Sequence, residues 1–381
     1  MLIIPKKDIG FRKKYCEKNF LKGGKKMIKR WFSLLMVLAV TFSLLFIVCE
    51  RSAQAKDKVI KWRAQSAWHR GDAFHDEAEY FAEALKRMSG GRLVIPKMYA
   101  VGEIVGPIAA MNEASAGRLD LTHNSGMYVA GTLPWTGLSI GSRPGWTNES
   151  IFSQVRYLYE GGGLDLYNKY IQTKFNLINF PAVITASEAV YSIKPIRKVA
   201  DFKGLKIRTS GLNKIFFEEL GCTCVSIPMT DVTPAMARGE LDACEMSSFY
   251  IDSKSGIEDV AKYVLVGSIH QPVGATVQVF INMESWNALP DDLKKIVKYA
   301  ADASMWHAFE YGGYMDQVMA EKWQNKWEVI KVTSEMQAAF EKATKRARDR
   351  ILASGDPWGK KILDHQKGFY DKYKKYAVEP W

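Results

Sequence analysis

Three runs, DFKGLKIRTSG at Asp201–Gly211, LGCTCVSIPMT at Leu220–Thr230 and RGELDACE at Arg238–Glu245, decide the fold. Lys206-Ile207-Arg208 reads as a short strand. Gly211 opens a helix that Gly221 closes, and Val225-Ser226-Ile227-Pro228 reads as the next strand. The whole is strand, helix, strand, helix, strand, with Arg208 where a strand stops. In an open α/β sheet, ligands settle beyond the carboxyl ends of the strands. A guanidinium is a permanent charge whose planar fork matches a carboxylate or phosphate with two parallel hydrogen bonds. A carboxylate is the expected partner here; a surface arginine paired with a nearby acid would read the same by position alone.

Working outward, Gly239-Glu240-Leu241-Asp242 echoes Gly117-Arg118-Leu119-Asp120. Each follows an alanine-rich helical segment and precedes a short strand, the pattern of two similar α/β lobes facing one cleft. Glycine as helix stop and leucine as strand opener would also account for either copy locally.

The chain has 381 residues and a formal net charge of +12. Residues 1–55 hold twelve Lys and Arg against Asp8, Glu17 and Glu50, a net of +9, which leaves about +3 for everything else. That removes the charge argument for nucleic-acid binding. The same segment reads as an export signal: a basic lead at Lys25–Arg30, an apolar run at Trp31–Val48, and Ala53-Gln54-Ala55 as the cleavage site before Lys56. Met27 is an alternative start. The apolar run is long enough to compete as an uncleaved anchor, and Cys49 hints at lipid attachment, although Val48 is large for such a site. Cleavage leaves Cys222, Cys224 and Cys244, an odd number, with the first two too close for an unstrained bridge. They read as small apolar residues on buried strands.

Along the chain, Val59–Ala64 alternates as a first strand and Gln65–His69 follows as a loop at its end, where Trp68 either stacks on a ligand or plugs an interface. Asp72 caps a helix with Phe74, Ala78, Phe81, Leu85 and Met88 on its buried face. Asn124 and Tyr128 are pocket donors in the loop after the strand at Leu121, and Met246–Tyr250, including Phe249, lines the cleft. Ile151–Tyr170 reads as helix and Phe175–Phe180 as a strand leading across to the second lobe. Gly137-Leu138-Ser139-Ile140-Gly141 fits G-x-S-x-G, but Arg143-Pro144-Gly145 breaks the helix that motif requires. Gly161-Gly162-Gly163 lacks the Gly-Lys-Ser/Thr of a phosphate loop. From Pro290 on the chain is almost wholly helical, and the six histidines form no metal-binding pair.

These residues resemble the extracytoplasmic solute-binding proteins of tripartite ATP-independent periplasmic (TRAP) transporters, DctP type. The resemblance is carried by Lys194-Pro195-Ile196, the run from Asp201 to Arg208 with Gly211, the two Gly-x-Leu-Asp units, and Leu289-Pro290 before a long helix. It implies a two-lobed periplasmic binding protein fold with a long helix spanning the lobes. The expected divisions are 1–55 signal, 56–180 mainly one lobe, 181–285 mainly the second with crossing strands, and 286–381 a helical region packing on both. It further implies no catalysis, a periplasmic location, delivery of a small organic acid to membrane permease subunits, and Arg208 as carboxylate anchor. Arg238–Glu245 and Val260–Tyr263 look most like the branch that binds 2-oxo and 2-hydroxy acids, some of whose members are homodimers. In some members of that branch the ligand is bridged by a sodium or calcium ion, which here would fall to Glu245, Met246 and Gln271. Ser187-Glu188 stands where a glutamine is expected and His270-Gln271 where a second acid is expected. Trp68, Asn124, Tyr128, Ser187, Glu188, Asn213, Phe249 and Gln271 complete the ligand-binding candidates. A sensor of the same fold and an exported hydrolase are the competing readings.

Overall fold

The computed structural model describes Met36 and residues 59–139, 150–267, 269, 274 and 276–376. The expected signal therefore lies outside the described residues except for Met36. From Val59 the chain forms β1 (Ile60–Lys61), β2 (Ala64–Ser66), α1 (Ala73–Met88), β3 (Leu93–Val94), β4 (Met98–Tyr99), α2 (Ala109–Ser115) and β5 (Leu121–Asn124). Then come α3 (Thr136–Ser139), α4 (Ile151–Tyr159), α5 (Gly163–Ile171), β6 (Leu177–Ile184), β7 (Val190–Ser192), β8 (Lys206–Arg208), α6 (Asn213–Glu219) and β9 (Thr223–Val225). The remainder is α7 (Val232–Ala237), β10 (Ala243–Glu245), α8 (Phe249–Asp252), β11 (Tyr263–Val266), β12 (Thr276–Asn282), α9 (Met283–Asn287), α10 (Asp291–Trp323), β13 (Glu328–Lys331), α11 (Ser334–Ala353) and α12 (Pro357–Tyr376).

Two sheets organise the lobes. The first has the order β4-β2-β5-β12-β6 and the second β13-β11-β7-β10-β8-β9, while β1 and β3 pair separately. The chain crosses from the first sheet to the second between β6 and β7, and back between β11 and β12. The expected divisions at 180 and 285 therefore fall inside β6 and α9, and the first lobe takes β12 from what was read as second-lobe sequence. Likewise β13, in the helical region, adds an edge strand to the second sheet.

The two Gly-x-Leu-Asp units do the same work in both lobes. Gly117 and Gly239 both have φ of 72°, the left-handed conformation that ends a helix without a Cβ penalty. Leu119 and Leu241 are buried. Asp120 donates its backbone N–H to Arg63 O at 2.9 Å, and its carboxylate accepts the N–H of Arg63 at 2.8 Å. Asp242 repeats both bonds on Lys206, at 2.8 and 3.0 Å. Each aspartate thus clamps the lead-in to the neighbouring strand, β2 in one lobe and β8 in the other.

α10 ties the lobes together. Its 33 residues, about 50 Å at 1.5 Å per residue, pack on α1 and β6 of the first lobe and α8 of the second. On the first-lobe side Asp302 accepts the hydroxyl of Tyr159 at 2.6 Å, and His307 Nδ1 lies 3.0 Å from the buried Glu77 carboxylate. On the second-lobe side Asp316 accepts the N–H of Tyr250 at 2.6 Å. Beyond it, Met336, Phe340, Ala343, Ala347 and Ile351, at three-four spacing, form the buried face of α11. Phe340 meets Phe202 and Phe216 of the second lobe, whereas Ile351, Ile362 and Leu363 join Trp135 and Leu138 in the first.

Several boundaries differ from expectation for identifiable reasons. Gln65 and Ser66 belong to β2 because they pair with Thr122 and His123. Met88 is exposed, one turn beyond the buried stripe. Gly162, at φ of 77°, splits the expected helix 151–170 in two. β6 runs through Pro181, tolerated because β6 is an edge strand with a bulge opposite at Val277/Gln278. The strand expected at 225–228 forms at Thr223–Val225, where it pairs with β8. Cys222, Cys224 and Cys244 are free thiols.

Asp120→Ala and Asp242→Ala are each expected to remove the side-chain acceptor from an exposed backbone N–H at a strand lead-in and to lower stability by about 0.5–1.5 kcal/mol. Urea unfolding checks this; an unchanged midpoint for both would mean that the clamps contribute nothing.

Candidate functional site

Arg208 ends β8 and is only 3% exposed. Its Nε donates to Ile227 O at 3.0 Å and its Nη1 to Glu245 O at 2.7 Å. Two carbonyls from the flanking segments thus fix the plane of the fork. β10 lies parallel to β8 with Cys244 opposite Arg208, which places Glu245 one step beyond. Its carboxylate approaches Arg208 Nη1 to 3.6 Å and accepts the N–H of Ser210 at 2.7 Å. Glu245 is therefore partnered within the chain.

Arg208 and Glu245 line a cavity of about 40 Å³. Trp68, Phe74, Ser125, Met127 and Tyr128 form the first-lobe wall, and Ser210, Asn213, Met229 and Met246 share the second-lobe wall with Arg208 and Glu245. Glu188 and Val277 flank the two crossings. The lobes approach closely: a Cβ on Gly211, whose φ is 54°, would come 2.9 Å from the Met127 methyl across the cleft. Glycine after Arg208 is what admits that contact.

Of the residues singled out by sequence, Arg208, Trp68, Tyr128, Glu188, Asn213, Glu245 and Met246 meet at this cavity. Trp68 is 1% exposed and packs on Phe74 with ring centroids 4.7 Å apart. Of the Ser187-Glu188 pair, Ser187 is exposed and Glu188 buried. Asn124 is not part of the wall; its amide donates to Pro107 O at 2.9 Å and accepts the N–H of Ser125 at 2.8 Å, so it shapes the loop that carries Tyr128. Phe249 packs instead against Tyr191, Trp323 and Trp327. His270 and Gln271 lie outside the described residues. Sequence reasoning missed Phe74, Met127, Met229 and Val277, apolar residues whose types signal core rather than cleft.

A serine, a histidine and a glutamate do stand in line near the site. Ser66 Oγ is 2.7 Å from His75 Nδ1, and His75 Nε2 is 3.4 Å from Glu79. Ser66 is wholly buried and its hydroxyl also bonds the backbone of Trp68, so no substrate reaches it; the group is structural. Burial also holds the adjacent His123 neutral, lowering it to about 3.

Glu188 and Glu245 offer oxygen donors of the kind a hard cation takes. Among the described residues no three His, Cys, Asp or Glu converge, so the chain's carboxylates would need backbone or ligand oxygens beside them.

Residues 64–354 match the DctP family of bacterial extracellular solute-binding proteins, family 7. The chain belongs to that family. DctP proteins are solute-binding receptors of TRAP systems and not enzymes. This DctP protein is 28% identical over 320 residues to a monocarboxylate 2-oxoacid-binding periplasmic protein of Nostoc sp., covering 84% of this chain and 86% of that one. Among solved structures, a TRAP solute-binding protein of Bordetella bronchiseptica aligns with a TM-score of 0.76 at 22% identity, over 84% of this chain and 94% of that one. It is described as a mixed-occupancy dimer with co-purified calcium and picolinate. A TRAP solute-binding protein of Pseudoalteromonas atlantica, with sodium and pyruvate bound, aligns with a TM-score of 0.76 at 23% identity, over 84% and 96%. No helix among the described residues is long and apolar enough to cross a membrane.

Beside the cavity, half-buried Asp72 caps α1, and desolvation pushes its carboxyl up to about 7 against the opposing hydrogen bond from Phe74 N–H. The folded protein then holds this proton more tightly than the unfolded chain, whose carboxyl titrates near 4. Stability through this group is full below about pH 4 and declines as pH rises towards 7. Asp72→Asn keeps the capping acceptor and removes that slope. The variant is expected to melt above wild type at pH 8 and to gain less at pH 5; parallel melting curves at the two pH values would contradict this.

Proposed function

We propose that this DctP protein captures a small organic acid, a 2-oxo or 2-hydroxy monocarboxylate, between its lobes and delivers it to the permease subunits of a TRAP transporter. The observation that carries the reading is the buried Arg208, oriented by two carbonyls and facing a cavity sized for a few heavy atoms. A guanidinium taken out of water needs an anion with good geometry, and Glu245, at 3.6 Å and already bonded to Ser210, supplies only part of that. A ligand carboxylate supplies the rest. Binding in the closed arrangement shifts the population of lobe positions, and the closed surface is what a permease recognises. Export to the periplasm through cleavage before Lys56 fits the family and the basic, apolar, Ala-x-Ala order of residues 25–55.

A sodium or calcium ion bridging protein and ligand is part of the same reading. Glu245, Glu188 and the backbone at Met246 would hold it, and it would neutralise charge between their carboxylates and the ligand's. The relatives with calcium and sodium support this. A homodimer through α10 is the third element. Tyr299, Trp306, Tyr311 and Tyr314 of that helix are 42–63% exposed, with Phe152 of α4 beside Trp306 at 6.3 Å between ring centroids. So many aromatic residues facing solvent mark an interface, and the Bordetella relative is a dimer.

Calorimetry against a panel of 2-oxo, 2-hydroxy and aromatic acids tests the ligand class. Truncating one partner of a buried charge pair typically loses ~2–5 kcal/mol, so Arg208→Ala is expected to weaken binding by roughly thirtyfold or more. Arg208→Lys should restore it only in part because the fork is lost; undiminished binding by the alanine variant removes Arg208 from the role. Exhaustive chelation followed by exchange into sodium-free buffer is expected to reduce acid affinity, and equal affinity with no stoichiometric metal would exclude the ion. Light scattering at micromolar concentration is expected to give twice the chain mass.

A further inference from the structure

The two carboxyl-terminal helices hold the positive charge that the rest of the exported chain lacks. Residues 334–376, which span α11 and α12, contain eleven Lys and Arg against six Asp and Glu, a net of +5, whereas the remainder of the chain from Lys56 on totals −2. Both helices turn apolar faces inwards, Phe340, Ala347 and Ile351 on one and Ile362, Leu363 and Tyr370 on the other. Ile351, Ile362 and Leu363 enter one cluster, so where the helices meet their outer faces turn to solvent side by side. By helical spacing Lys342 and Lys345 lie opposite the buried stripe of α11, and Lys361 and Lys372 opposite that of α12. All four are exposed, and none forms an ion pair among the described residues. The other cations of the two helices differ in this respect: Arg346 and Arg350 are bonded to Glu218 and Glu219, and Lys360 and Lys367 to Asp364 and Asp371.

We infer that the outer face of α11 and α12 is a docking surface for an anionic lipid bilayer, which keeps the exported protein beside the membrane. The charges are spread along two neighbouring helices, α12 alone being about 30 Å long, and do not converge on a pocket. An array of that kind matches a delocalised negative surface better than a single acidic side chain or a small anion. Apolar and aromatic groups stand among the lysines, as they do at a membrane boundary. Leu352, just before the turn between the helices, is 45% exposed, and Lys361 Nζ sits 4.6 Å from the ring centroid of the half-buried Trp358. Further along, Lys372-Tyr373-Lys374-Lys375-Tyr376 alternates the two residue types in sequence. No described helix is long and apolar enough to cross a bilayer, so the contact is peripheral, made by lysine head groups against lipid phosphates and weakened by salt. It uses no residue of the cavity and does not depend on which acid the protein binds.

The test is flotation of the whole exported protein with vesicles of phosphatidylcholine, alone or with about one third phosphatidylglycerol. At low salt and ~1 mM accessible lipid, about half of the protein is expected to float with the anionic vesicles and little with the neutral ones. Raising the salt to about 0.5 M is expected to release it. Reversing the four lysines together, Lys342→Glu, Lys345→Glu, Lys361→Glu and Lys372→Glu, is expected to weaken the association by tenfold or more. The same change in net charge made at Lys61, Lys174, Lys262 and Lys295, exposed lysines on other elements, is expected to leave most of it. Equal recovery with neutral and anionic vesicles would overturn the inference. So would equal loss in the two variants, which would make net charge and not this face responsible, and so would flotation only with vesicles that contain the permease, which would assign the face to a protein partner. Melting curves show whether the variants fold, and the comparison of lipids and salt in wild type decides the matter if one does not.

Discussion

A guanidinium held away from water constrains the whole molecule. Arg208 is kept at the floor of the cleft by carbonyls of Ile227 and Glu245, which belong to segments on either side of its own strand. Those carbonyls are available because β9 stops at Val225 and β10 at Glu245, so the sheet ends in a ledge rather than a continuous ladder. The cost of burying the charge is reduced only if these short strands, the turn at Gly211 and the opposing loop bearing Tyr128 are all in register. The site and the second lobe are in that sense one construction.

The lobes are held by attachments of different character. In each, an aspartate grips the lead-in to a central strand by its backbone and its carboxylate, a local clamp insensitive to what the other lobe does. Between them run two crossings and α10, which meets the first lobe through Asp302 and His307 and the second through Asp316. Hydrogen bonds to charged groups are stronger than neutral ones, so these attachments fix where the long helix sits. Burial raises Asp316 to about 6 despite the N–H it accepts, which shows how far this end of the helix is withdrawn from solvent.

Much of this was legible in sequence because the relevant signals are local. The end of β8 at Arg208, the cap at Asp72, the two glycine stops and the buried face of α11 each follow from residue type and spacing. What was not legible depended on pairing across the chain. Nothing in Gln65-Ser66 says that Thr122 and His123 will lie beside them, and nothing in Pro181 says that its strand will be an edge with a bulge opposite. The site divides in the same way. Charged and aromatic residues near strand ends could be singled out, but the choice between Ser187 and Glu188 turned on the course of the loop between β6 and β7, and Asn124 was drawn into its own loop by Pro107 and Ser125. Met127 and Met229 look like core residues because they are, on the side facing away from the cleft.

The position of β12 has a consequence for how the protein is made. Its seven residues, Thr276–Asn282, lie between β5 and β6 in the first sheet, so that sheet lacks a central member until residue 282 has emerged. A chain appearing from its amino end can form α1 and β2 early, yet β5 and β6 have no partner in common for another hundred residues. Long-range pairings of this sort slow folding because loop closure precedes the contacts that reward it. The first lobe is thus completed after the second has most of its strands, and the order of assembly runs against the order of the sequence.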